Sequence, residues 1–332
     1  MIPETFKALR AEEMPGSGIQ PVIRTLPLSY LPSDEVLIQV HYSSLNYKDA
    51  LSATGNRGVT RSFPHTPGID ACGTVVYSAD QQFSKGDKVL VHGYDLGMNT
   101  PGGFGQYIQV PAAWVMPLPE GLSFAESMML GTAGFTAALA LQRMEVNGQK
   151  PSSGPVLVTG AGGGLGSLAV NILASLGYEV IASTGKPESA DFLRSLGAAQ
   201  VIGRIETGNH EKLLLKPRWS GVIDTIGGEY LGTAIKACNP HGNVAVCGNA
   251  ASHLLNTSVY PFILNGINLL GIESATWPMP ERRKIWEKLA GDWKPPMLKH
   301  IAALITLHQL PEHIHLILNG KIKGRVFVDL KD

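Results

Sequence analysis

The hydrophobic and polar positions divide the chain into two stretches with different periodicities. Up to about residue 121 the apolar runs are short and are interrupted by glycine and proline. Three of these runs have the length and partial alternation of strands: Glu35–Tyr42, Asp87–His92 and Gln106–Val110. Short strands separated by turn-forming residues predict a compact β-rich unit.

Beyond residue 123, strand-like and helical patterns alternate. The run Phe124–Met144 is apolar and predicts a helix, broken only by glycine. Six strand-like runs follow: Val156–Thr159, Tyr178–Ser183, Gln200–Ile202, Val222–Ile226, Asn243–Cys247 and Asn268–Ile272. The helical patterns between them are Ser167–Leu176, Glu188–Leu196, Glu211–Lys216 and Tyr230–Cys238. Such alternation is typical of an α/β fold with a doubly wound parallel sheet.

The last part of the chain predicts one charged helix, Glu281–Leu289, and a final strand within Gly320–Leu330. We expect this strand to pack back on the β-rich unit, which makes that unit discontinuous. The predicted domains are therefore residues 1–124 together with 275–332, which form the β-rich domain, and residues 125–274, which form the domain with the parallel sheet.

A glycine-rich turn, Gly160–Gly166, joins the first strand of the predicted parallel sheet to its first helix. A pyrophosphate needs backbone N–H groups without a Cβ in the way, and it gains from the positive end of a helix dipole. The residues predicted to bind it are Gly162, Gly163, Gly164 and Leu165. Alanine occupies the first position of the fingerprint Ala161-x-Gly163-x-x-Gly166, so a turn without a ligand is the alternative.

The end of the second predicted strand indicates which dinucleotide would bind. Enzymes that use NAD usually carry a carboxylate there for the ribose hydroxyls, whereas this chain has Ser183-Thr184-Gly185-Lys186. A hydroxyl, a flexible backbone and a cation suit a 2′-phosphate, and Arg204 supplies a second cation. We therefore predict NADPH, with two solvated loop charges as the alternative. Asn249 follows the fifth strand and Ser274 the sixth, and both are expected to line the same crevice. Ile263, between them, is expected to cover the nicotinamide ring with apolar surface, and a purely structural role is the alternative for each of the three.

Composition narrows the class of protein further. The formal net charge is zero and 16% of the residues are charged, so no global charge attracts the chain to nucleic acid or to a membrane surface. Three scattered cysteines do not suggest a disulfide framework, and we expect a reducing, cytoplasmic compartment. We also expect no signal peptide, and the apolar stretch Met128–Leu141 is too short to cross a bilayer.

Several segments resemble the medium-chain dehydrogenase/reductase superfamily, in particular its quinone-reductase-related branch. They are Tyr42–Leu51, Pro64–Val75, Gly86–Val89, Gly102–Tyr107 and Gly131–Ala137. Further segments are similar to the NADPH-dependent acryloyl-CoA reductases of that branch: Leu45–Ala50, Pro261–Leu264, Glu281–Arg283 and Lys321–Arg325. The resemblance implies a GroES-like β domain plus a Rossmann domain, a cytoplasmic homodimer and the reduction of acryloyl-CoA to propionyl-CoA.

Zinc is the first group to consider, because the alcohol dehydrogenases of this superfamily use it. The corresponding ligand positions read Asn46 and Ile69, and the four-cysteine structural loop is missing. The remaining combination of Cys238, His241 and Cys247 is short of ligands for a catalytic site. We therefore expect a metal-free enzyme.

Reduction of a thioester-conjugated double bond requires hydride at the β-carbon, stabilisation of the enolate oxygen and a proton at the α-carbon. The resemblance implies that Tyr47 faces the nicotinamide, where it donates a hydrogen bond, positions the cofactor or gives the proton. An aromatic side chain that only packs is the alternative. Asn46 is expected to donate to the nicotinamide ribose or the substrate, whereas Asp49 and Asp70 are expected to fix turns. Asn319 either contacts the cofactor or ends a helix.

The substrate and the partners depend on the resemblance alone. Coenzyme A would need cations, and the candidates are Arg57, Arg61, Arg282, Arg283, Lys323 and Arg325. The alternatives are an NADPH-dependent reductase of quinones, enals or enones, and a non-catalytic NADPH-binding protein. Apolar residues in the predicted strand Asn268–Ile272 favour a homodimer, since they would lie at a sheet edge. No nucleic-acid or membrane partner is expected.

Overall fold

The computed structural model describes residues 2–207 and 212–331 and falls into two units. The first unit consists of Met1–Thr132, Ala275–Ala290 and Ala302–Asp332. The second consists of Ala133–Ser274 and Gly291–Ile301.

In chain order the strands are β1 (Thr5–Met14), β2 (Gly18–Pro27), β3 (Val36–Leu45), β4 (Asp70–Ser78), β5 (Lys88–His92), β6 (Tyr107–Val110), β7 (Met116–Pro117), β8 (Val156–Val158), β9 (Val180–Thr184), β10 (Gln200–Gly203), β11 (Trp219–Asp224), β12 (Cys238–Val246), β13 (Asn268–Gly271), β14 (Ala302–Thr306) and β15 (Arg325–Asp329). The helices are α1 (Tyr47–Ala53), α2 (Phe124–Val146), α3 (Gly164–Ser175), α4 (Ala190–Ser195), α5 (Gly228–Lys236), α6 (Tyr260–Asn265), α7 (Met279–Ala290), α8 (Leu298–Ile301) and α9 (Leu310–Leu318).

The first unit is built on a seven-stranded sheet with the order β14-β15-β3-β4-β5-β7, and β6 also pairs with β3. Strands β1 and β2 form a separate antiparallel ribbon. Apolar side chains from β3, β5 and β15, among them Ile38, Val91 and Val328, share one buried core. The final strand β15 pairs antiparallel with β3, so the expectation that the tail returns to the β-rich unit is confirmed.

The second unit contains a six-stranded sheet with the order β10-β9-β8-β11-β12-β13, and every pairing in it is parallel. Leu157, Ile181, Val222 and Val244 from four neighbouring strands are buried in one cluster with side chains of α5. The chain runs outward from β8 in one direction and then, from β11, in the other. This order is that of the Rossmann doubly wound sheet, and it confirms the predicted fold class.

The prediction of a helix at Glu211–Lys216 is wrong over Lys212–Lys216, where the chain forms no helix. Glu211 lies outside the described residues. The backbone N–H of Leu215 donates to the carbonyl oxygen of Lys236 at 3.0 Å. Because this group is bonded to the end of α5, it makes no helical bond within its own segment. The nearby Pro217 lacks an N–H and disfavours a helical conformation at the residue before it.

The first unit extends into α2, whereas the predicted domain limit lay at residue 124. Gly131 has a φ of 52° and interrupts the helix. The next residue, Thr132, donates its N–H and its hydroxyl to Oδ1 of Asp70 on β4, at 3.0 and 2.6 Å. These bonds attach the beginning of α2 to the β-rich sheet. By length and composition α2 could cross a membrane, but 78% of its most apolar window is buried inside the protein, as in a core helix.

A second departure from the predicted limits concerns Gly291–Ile301, which belongs to the second unit. The N–H of Met297 donates to the side-chain oxygen of Asn171 on α3 at 3.0 Å. The preceding helix α7 stays with the first unit, because the indole N–H of Trp286 donates to Nε2 of His92 on β5 at 2.8 Å. Neither hydrogen bond could be predicted from the pattern of polar and apolar residues, since each joins partners more than 100 residues apart in the chain.

Candidate active site

The glycine-rich turn of the second unit has the geometry of a dinucleotide-binding turn. Gly160 has a φ of 59°, and a Cβ there would overlap the Thr225 hydroxyl. A Cβ on Gly166 would overlap the carbonyl oxygen of Gly160 and would lie 2.7 Å from Cα of Ala161. The glycine that makes the tight turn is therefore Gly160, one position before the alanine of the fingerprint. Gly166 allows the helix to pack closely on the turn.

Residues at the end of β11 and just after β8 and β11 form a hydrogen-bond network next to this turn. The Thr159 hydroxyl donates to Oδ1 of Asp224 at 2.7 Å, and the Gly227 N–H donates to Oδ2 of the same carboxyl at 2.7 Å. The Thr225 hydroxyl donates to the Thr159 carbonyl oxygen at 2.9 Å. Burial raises the pKa of Asp224, while the hydrogen bonds that it accepts lower it. The network fixes the two strand ends from which the turn departs.

The predicted pyrophosphate-binding residues lie at the N-terminus of α3. Gly163 is the N-cap residue of this helix, and Gly164 and Leu165 begin its first turn. The first N–H groups of a helix have no partner within it and are available to an anion. A Cβ on Gly162 would lie 3.5 Å from the hydroxyl oxygens of both Thr184 and Ser189, so these hydroxyls adjoin the turn.

The four residues predicted to select NADPH come together at the end of β9. The Lys186 N–H donates to the Thr184 hydroxyl at 3.1 Å. A Cβ on Gly185 would lie 3.2 Å from Nε of Arg204, which shows that the guanidinium rests against the Gly185 backbone. Cζ of Arg204 also lies 5.6 Å from the ring centroid of Tyr230.

Two cations are therefore held close to one another at this position. Burial lowers the pKa of Lys186, Glu188 raises it, and the positive charge of Arg204 lowers it. Repulsion between like charges is relieved by a bound anion, which fits a 2′-phosphate. Ser189, beside Gly162, and Tyr230, beside Arg204, also adjoin this position, and the sequence analysis did not name them as candidates. The signal for Tyr230 was weak, because an aromatic residue in an amphipathic helix normally indicates packing.

The other predicted cofactor residues of the second unit occupy separate places. Asn249 is exposed and helps to line a cavity of about 400 Å³ with residues that follow β11 and β12. Ser274 accepts a hydrogen bond from the Thr136 hydroxyl at 2.9 Å. Ile263 lies on α6 with 68% of its surface exposed. Their contacts with a cofactor stay predictions.

The two predicted catalytic residues lie in the first unit, where β3 leads into α1. Tyr47 is the first residue of α1 and is 45% exposed, so its side chain is available to a ligand. Asn46 is the N-cap residue and is 9% exposed. Its amide nitrogen donates to Oδ2 of Asp70 at 2.8 Å and to Oδ2 of Asp49 at 3.1 Å. The amide donors expected for the cofactor or the substrate are thus engaged by buried carboxylates.

The residues at the expected zinc position do not fit a metal. Asn46 directs its amide nitrogen at Asp70 and Asp49, and Ile69 supplies no ligand side chain. Across residues 2–207 and 212–331, no group of three His, Cys, Asp or Glu side chains could hold a metal ion. The combination with Cys238 is therefore not assembled. That the protein works without a metal stays a prediction.

Two of the candidate cations for coenzyme A are internal, which corrects that expectation. Arg282 is 1% exposed and donates to the carbonyl oxygens of His92 and Ala275 at 2.6 and 2.8 Å. Arg325 is 3% exposed. Cations so deeply buried serve the fold, because leaving their partners unpaired would be costly. The other four candidates are exposed: Arg57, Arg61, Arg283 and Lys323.

Asn319 ends α9, which is one of the two alternatives expected for it, the other being a contact with the cofactor. Its side-chain amide donates back to the carbonyl oxygen of His315 at 2.8 Å. The following Gly320 has a φ of 64°, the left-handed conformation that commonly ends helices. A contact between Asn319 and the cofactor stays a prediction.

Comparisons with known proteins agree with this geometry. The family model of the alcohol dehydrogenase GroES-like domain matches residues 32–120, and that of zinc-binding dehydrogenases matches residues 164–290. Acrylyl-CoA reductase AcuI of Ruegeria pomeroyi is 44% identical over 98% of this chain and 99% of its own length. The putative quinone oxidoreductase YhfP of Bacillus subtilis is 43% identical over the same shares.

Solved structures of relatives show the same fold. The YhdH oxidoreductase of Salmonella enterica, in complex with NADP, has a TM-score of 0.95 and 40% identity over 98% of this chain and all of that one. The structure of Bacillus subtilis YhfP with NAD bound has a TM-score of 0.95 and 43% identity over 99% of this chain and all of that one. The chain therefore belongs to the medium-chain dehydrogenase/reductase superfamily, within its quinone-oxidoreductase-like group, and is an oxidoreductase.

Proposed function

We propose that this oxidoreductase uses NADPH to reduce acryloyl-CoA to propionyl-CoA. The observation that carries the proposal is the paired cations Lys186 and Arg204 beside the Thr184 hydroxyl, where the two residues that follow β9 are Gly185 and Lys186 and neither is a carboxylate. The substrate is inferred from the relative named acrylyl-CoA reductase, which matches this chain over nearly its whole length.

The choice of dinucleotide follows from the charges around Gly185. A ribose bearing a 2′-phosphate gains from both cations, whereas a ribose with two hydroxyls would prefer a carboxylate acceptor. The Salmonella relative was crystallised with NADP and the Bacillus relative with NAD. Steady-state kinetics with both dinucleotides tests the assignment, and a clear preference for NADH would overturn it.

When bound, NADPH supplies the hydride that is added to the β-carbon of the acyl chain. The N-terminus of α3 would hold the pyrophosphate through the N–H groups of Gly164 and Leu165. Tyr47 acts on the substrate: its hydroxyl donates a hydrogen bond to the thioester oxygen as negative charge develops there. A proton is then delivered to the α-carbon, and Tyr47 is the side chain best suited to give it, with water restoring the hydroxyl.

Coenzyme A carries a pyrophosphate and a 3′-phosphate, and these need exposed cations. Arg57 and Arg61 meet this need in one loop of the first unit. Nη1 of Arg57 donates to the carbonyl oxygen of Arg61 at 2.8 Å, so the loop that carries the two guanidinium groups is tied together. We propose this pair as the first place to test for binding of the CoA phosphates.

A single assay separates the candidate functions. NADPH oxidation is followed with acryloyl-CoA, crotonyl-CoA, acrolein and a 1,4-naphthoquinone in parallel. A kcat/KM highest for acryloyl-CoA supports the proposal. Activity with free carbonyl compounds or quinones alone supports a quinone or enal/enone reductase, which is favoured by the 43% identity with the YhfP protein. NADPH binding without any turnover would indicate a non-catalytic protein.

We further propose a homodimer in the cytoplasm. Strand β13 is an edge strand of the parallel sheet, and it carries the 40% exposed Leu269. On the preceding helix α6, Ile263 and Leu264 are 68% and 64% exposed. Apolar side chains beside an unpaired strand edge favour association with a second copy. The three free cysteines suit a reducing compartment.

A further inference from the structure

A network of buried polar groups lies in the first unit around the residue that precedes Tyr47. It consists of Asn46, Asp49, Asp70 and Arg325, whose exposed fractions are 9%, 0%, 0% and 3%. Buried charges of this kind are costly unless they are paired and hydrogen-bonded. They therefore call for an explanation beyond the fold itself.

The centre of this network is the side chain of Asn46, which is held at both ends. Its oxygen accepts a hydrogen bond from Nη1 of Arg325 at 3.0 Å. Its nitrogen donates to Asp70 and Asp49 at 2.8 and 3.1 Å. With donor and acceptor both engaged, the amide has a single orientation in which these bonds are kept.

Asp49 links this amide to the backbone of α1. Oδ2 of Asp49 accepts the N–H of Asn46 at 2.8 Å, and Oδ1 accepts the N–H of Ile69 at 2.8 Å. Asn46 and Asp49 thus form a capping box around the first turn of the helix. Helix α1 has seven residues, and a helix so short is not stable without tertiary contacts.

Arg325 brings a positive charge from β15 to the same turn. Its Nη1 also donates to the Leu45 carbonyl oxygen at 3.2 Å, and its Nε donates to the Met129 carbonyl oxygen at 3.3 Å. Nη2 lies 4.0 Å from Oδ2 of Asp70. The guanidinium therefore holds the backbone and the side chain of the two residues immediately before Tyr47.

We propose that Asp49, Asn46 and Arg325 are positioning residues that fix the first turn of α1 and thereby orient the Tyr47 side chain towards the substrate. The inference rests on the proposed role of Tyr47 in the reaction. It also changes the role expected for Asn46. The Asn46 amide stays in the buried network and acts through Tyr47, instead of donating to the cofactor or the substrate.

The test is a double-mutant cycle with Tyr47→Phe and Asp49→Asn. Asp49→Asn turns one acceptor oxygen into a donor that faces the N–H groups of Asn46. We expect kcat to fall about tenfold, while KM for the acyl-CoA and for NADPH changes less than about threefold. In the Tyr47→Phe background, Asp49→Asn should lower kcat by less than about twofold. Asp49 acts by positioning the Tyr47 hydroxyl, and this hydroxyl is absent from the variant.

A matched control is Glu126→Gln, at the capping box of α2. Oε2 of Glu126 accepts the Ser123 N–H at 2.9 Å, so the bond type is the same as at Asp49. This variant should keep the kcat of the wild-type protein. An unchanged kcat in Asp49→Asn would overturn the proposal. So would an equal loss in both backgrounds, since a merely structural defect multiplies with any other change.

The cycle is run with whichever acceptor the wild-type protein reduces. Failure with acryloyl-CoA but activity with a quinone would reject the proposed substrate and leave the positioning proposal open to the same cycle. Amide hydrogen exchange supplies a readout without turnover. Faster exchange at Asn46 and Ile69 in Asp49→Asn is expected, and unchanged exchange there would contradict the proposed role of this carboxylate.

Discussion

Nη1 of Arg325 lies 3.0 Å from the side-chain oxygen of Asn46, although 279 positions separate the two residues along the chain. The bond joins the final strand to the residue that caps α1. It explains why a tail arginine that resembles a surface cation is buried. It also places the last strand of the chain against the residue that precedes the proposed catalytic tyrosine.

Tyr47→Phe is expected to lower kcat at least about tenfold with the fold intact, because it removes the hydroxyl that we propose donates to the thioester oxygen. Steady-state kinetics with acryloyl-CoA measures the effect, and circular dichroism checks the fold. Tyr77→Phe, at a tyrosine 51% exposed on β4, is the control and should retain wild-type turnover. An unchanged rate in Tyr47→Phe would remove this residue from the proton path.

Lys186→Ala should raise KM for NADPH about tenfold or more and leave KM for NADH nearly unchanged, because a hydrogen bond to a charged group contributes roughly 1.5–3 kcal/mol. Arg204→Ala should act in the same direction. Arg194→Ala removes a guanidinium whose side chain is 60% exposed on α4 and serves as the control. Equal changes of KM for both dinucleotides would show that these cations do not contact the 2′-phosphate.

Gly166→Ala should destabilise the protein by roughly 1–3 kcal/mol and weaken NADPH binding, because the added methyl group overlaps the Gly160 carbonyl oxygen. Denaturant unfolding and NADPH fluorescence measure the two effects. Gly203→Ala is the matched control, since a Cβ there has no neighbouring atom within 4 Å. Comparable stabilities of the two variants would contradict the close packing of α3 on its turn.

The stability of the protein should depend on pH through Asp49. Burial raises the pKa of this carboxyl to about 7, and the Asp70 carboxylate acts in the same direction, while hydrogen bonds from Asn46 and Ile69 lower it. The Arg325 guanidinium is a further charged group that interacts with it. The folded chain thus binds this proton more tightly than the unfolded chain, where the pKa is 3.8.

The contribution of Asp49 to stability is therefore greatest at low pH and is lost as pH rises from about 4 through about 7. Asp49→Asn cannot titrate, so Tm of the wild-type protein relative to this variant should fall between about pH 4 and pH 7. Thermal melts across this range measure it. Asp191→Asn, at a side chain 99% exposed, should follow the wild-type protein. A constant difference between wild type and Asp49→Asn would refute the assigned pKa.

Leu269→Lys is expected to convert the proposed dimer to a monomer, because it places a charge on the edge strand β13. Sedimentation velocity gives the oligomeric state of the wild-type protein and of the variant. Leu304→Lys is the control, since Leu304 is 54% exposed on β14, an edge strand of the other sheet. A monomeric wild-type protein would reject the dimer, and a dimeric Leu269→Lys would reject this interface.

The local pattern of apolar and polar residues was sufficient to predict the strands of the parallel sheet and to propose the 2′-phosphate site. Strands and helices can be predicted because the buried positions recur with a fixed period in each of them. Thr184, Gly185 and Lys186 can be grouped because they are consecutive in the chain. Arg204 follows the next strand, and parallel strands place their carboxyl ends at one edge. Proximity of these residues is thus a consequence of the strand order that the sequence implies.

The sequence was enough to predict the two-part architecture, the doubly wound parallel sheet and the cations beside Gly185, because these depend on periodicity and on neighbouring strands. Three features emerge only when the chain is folded: the break of α2 at Gly131, the burial of Arg282 and Arg325, and the two carboxylates that hold the Asn46 amide. The break at Gly131 and the burial of the two arginines depend on pairing across more than 60 residues of chain, and the Asn46 amide pairs with Asp70 across 24 residues. Burial changes the meaning of a charged residue, since an arginine without water must find its partners inside the fold.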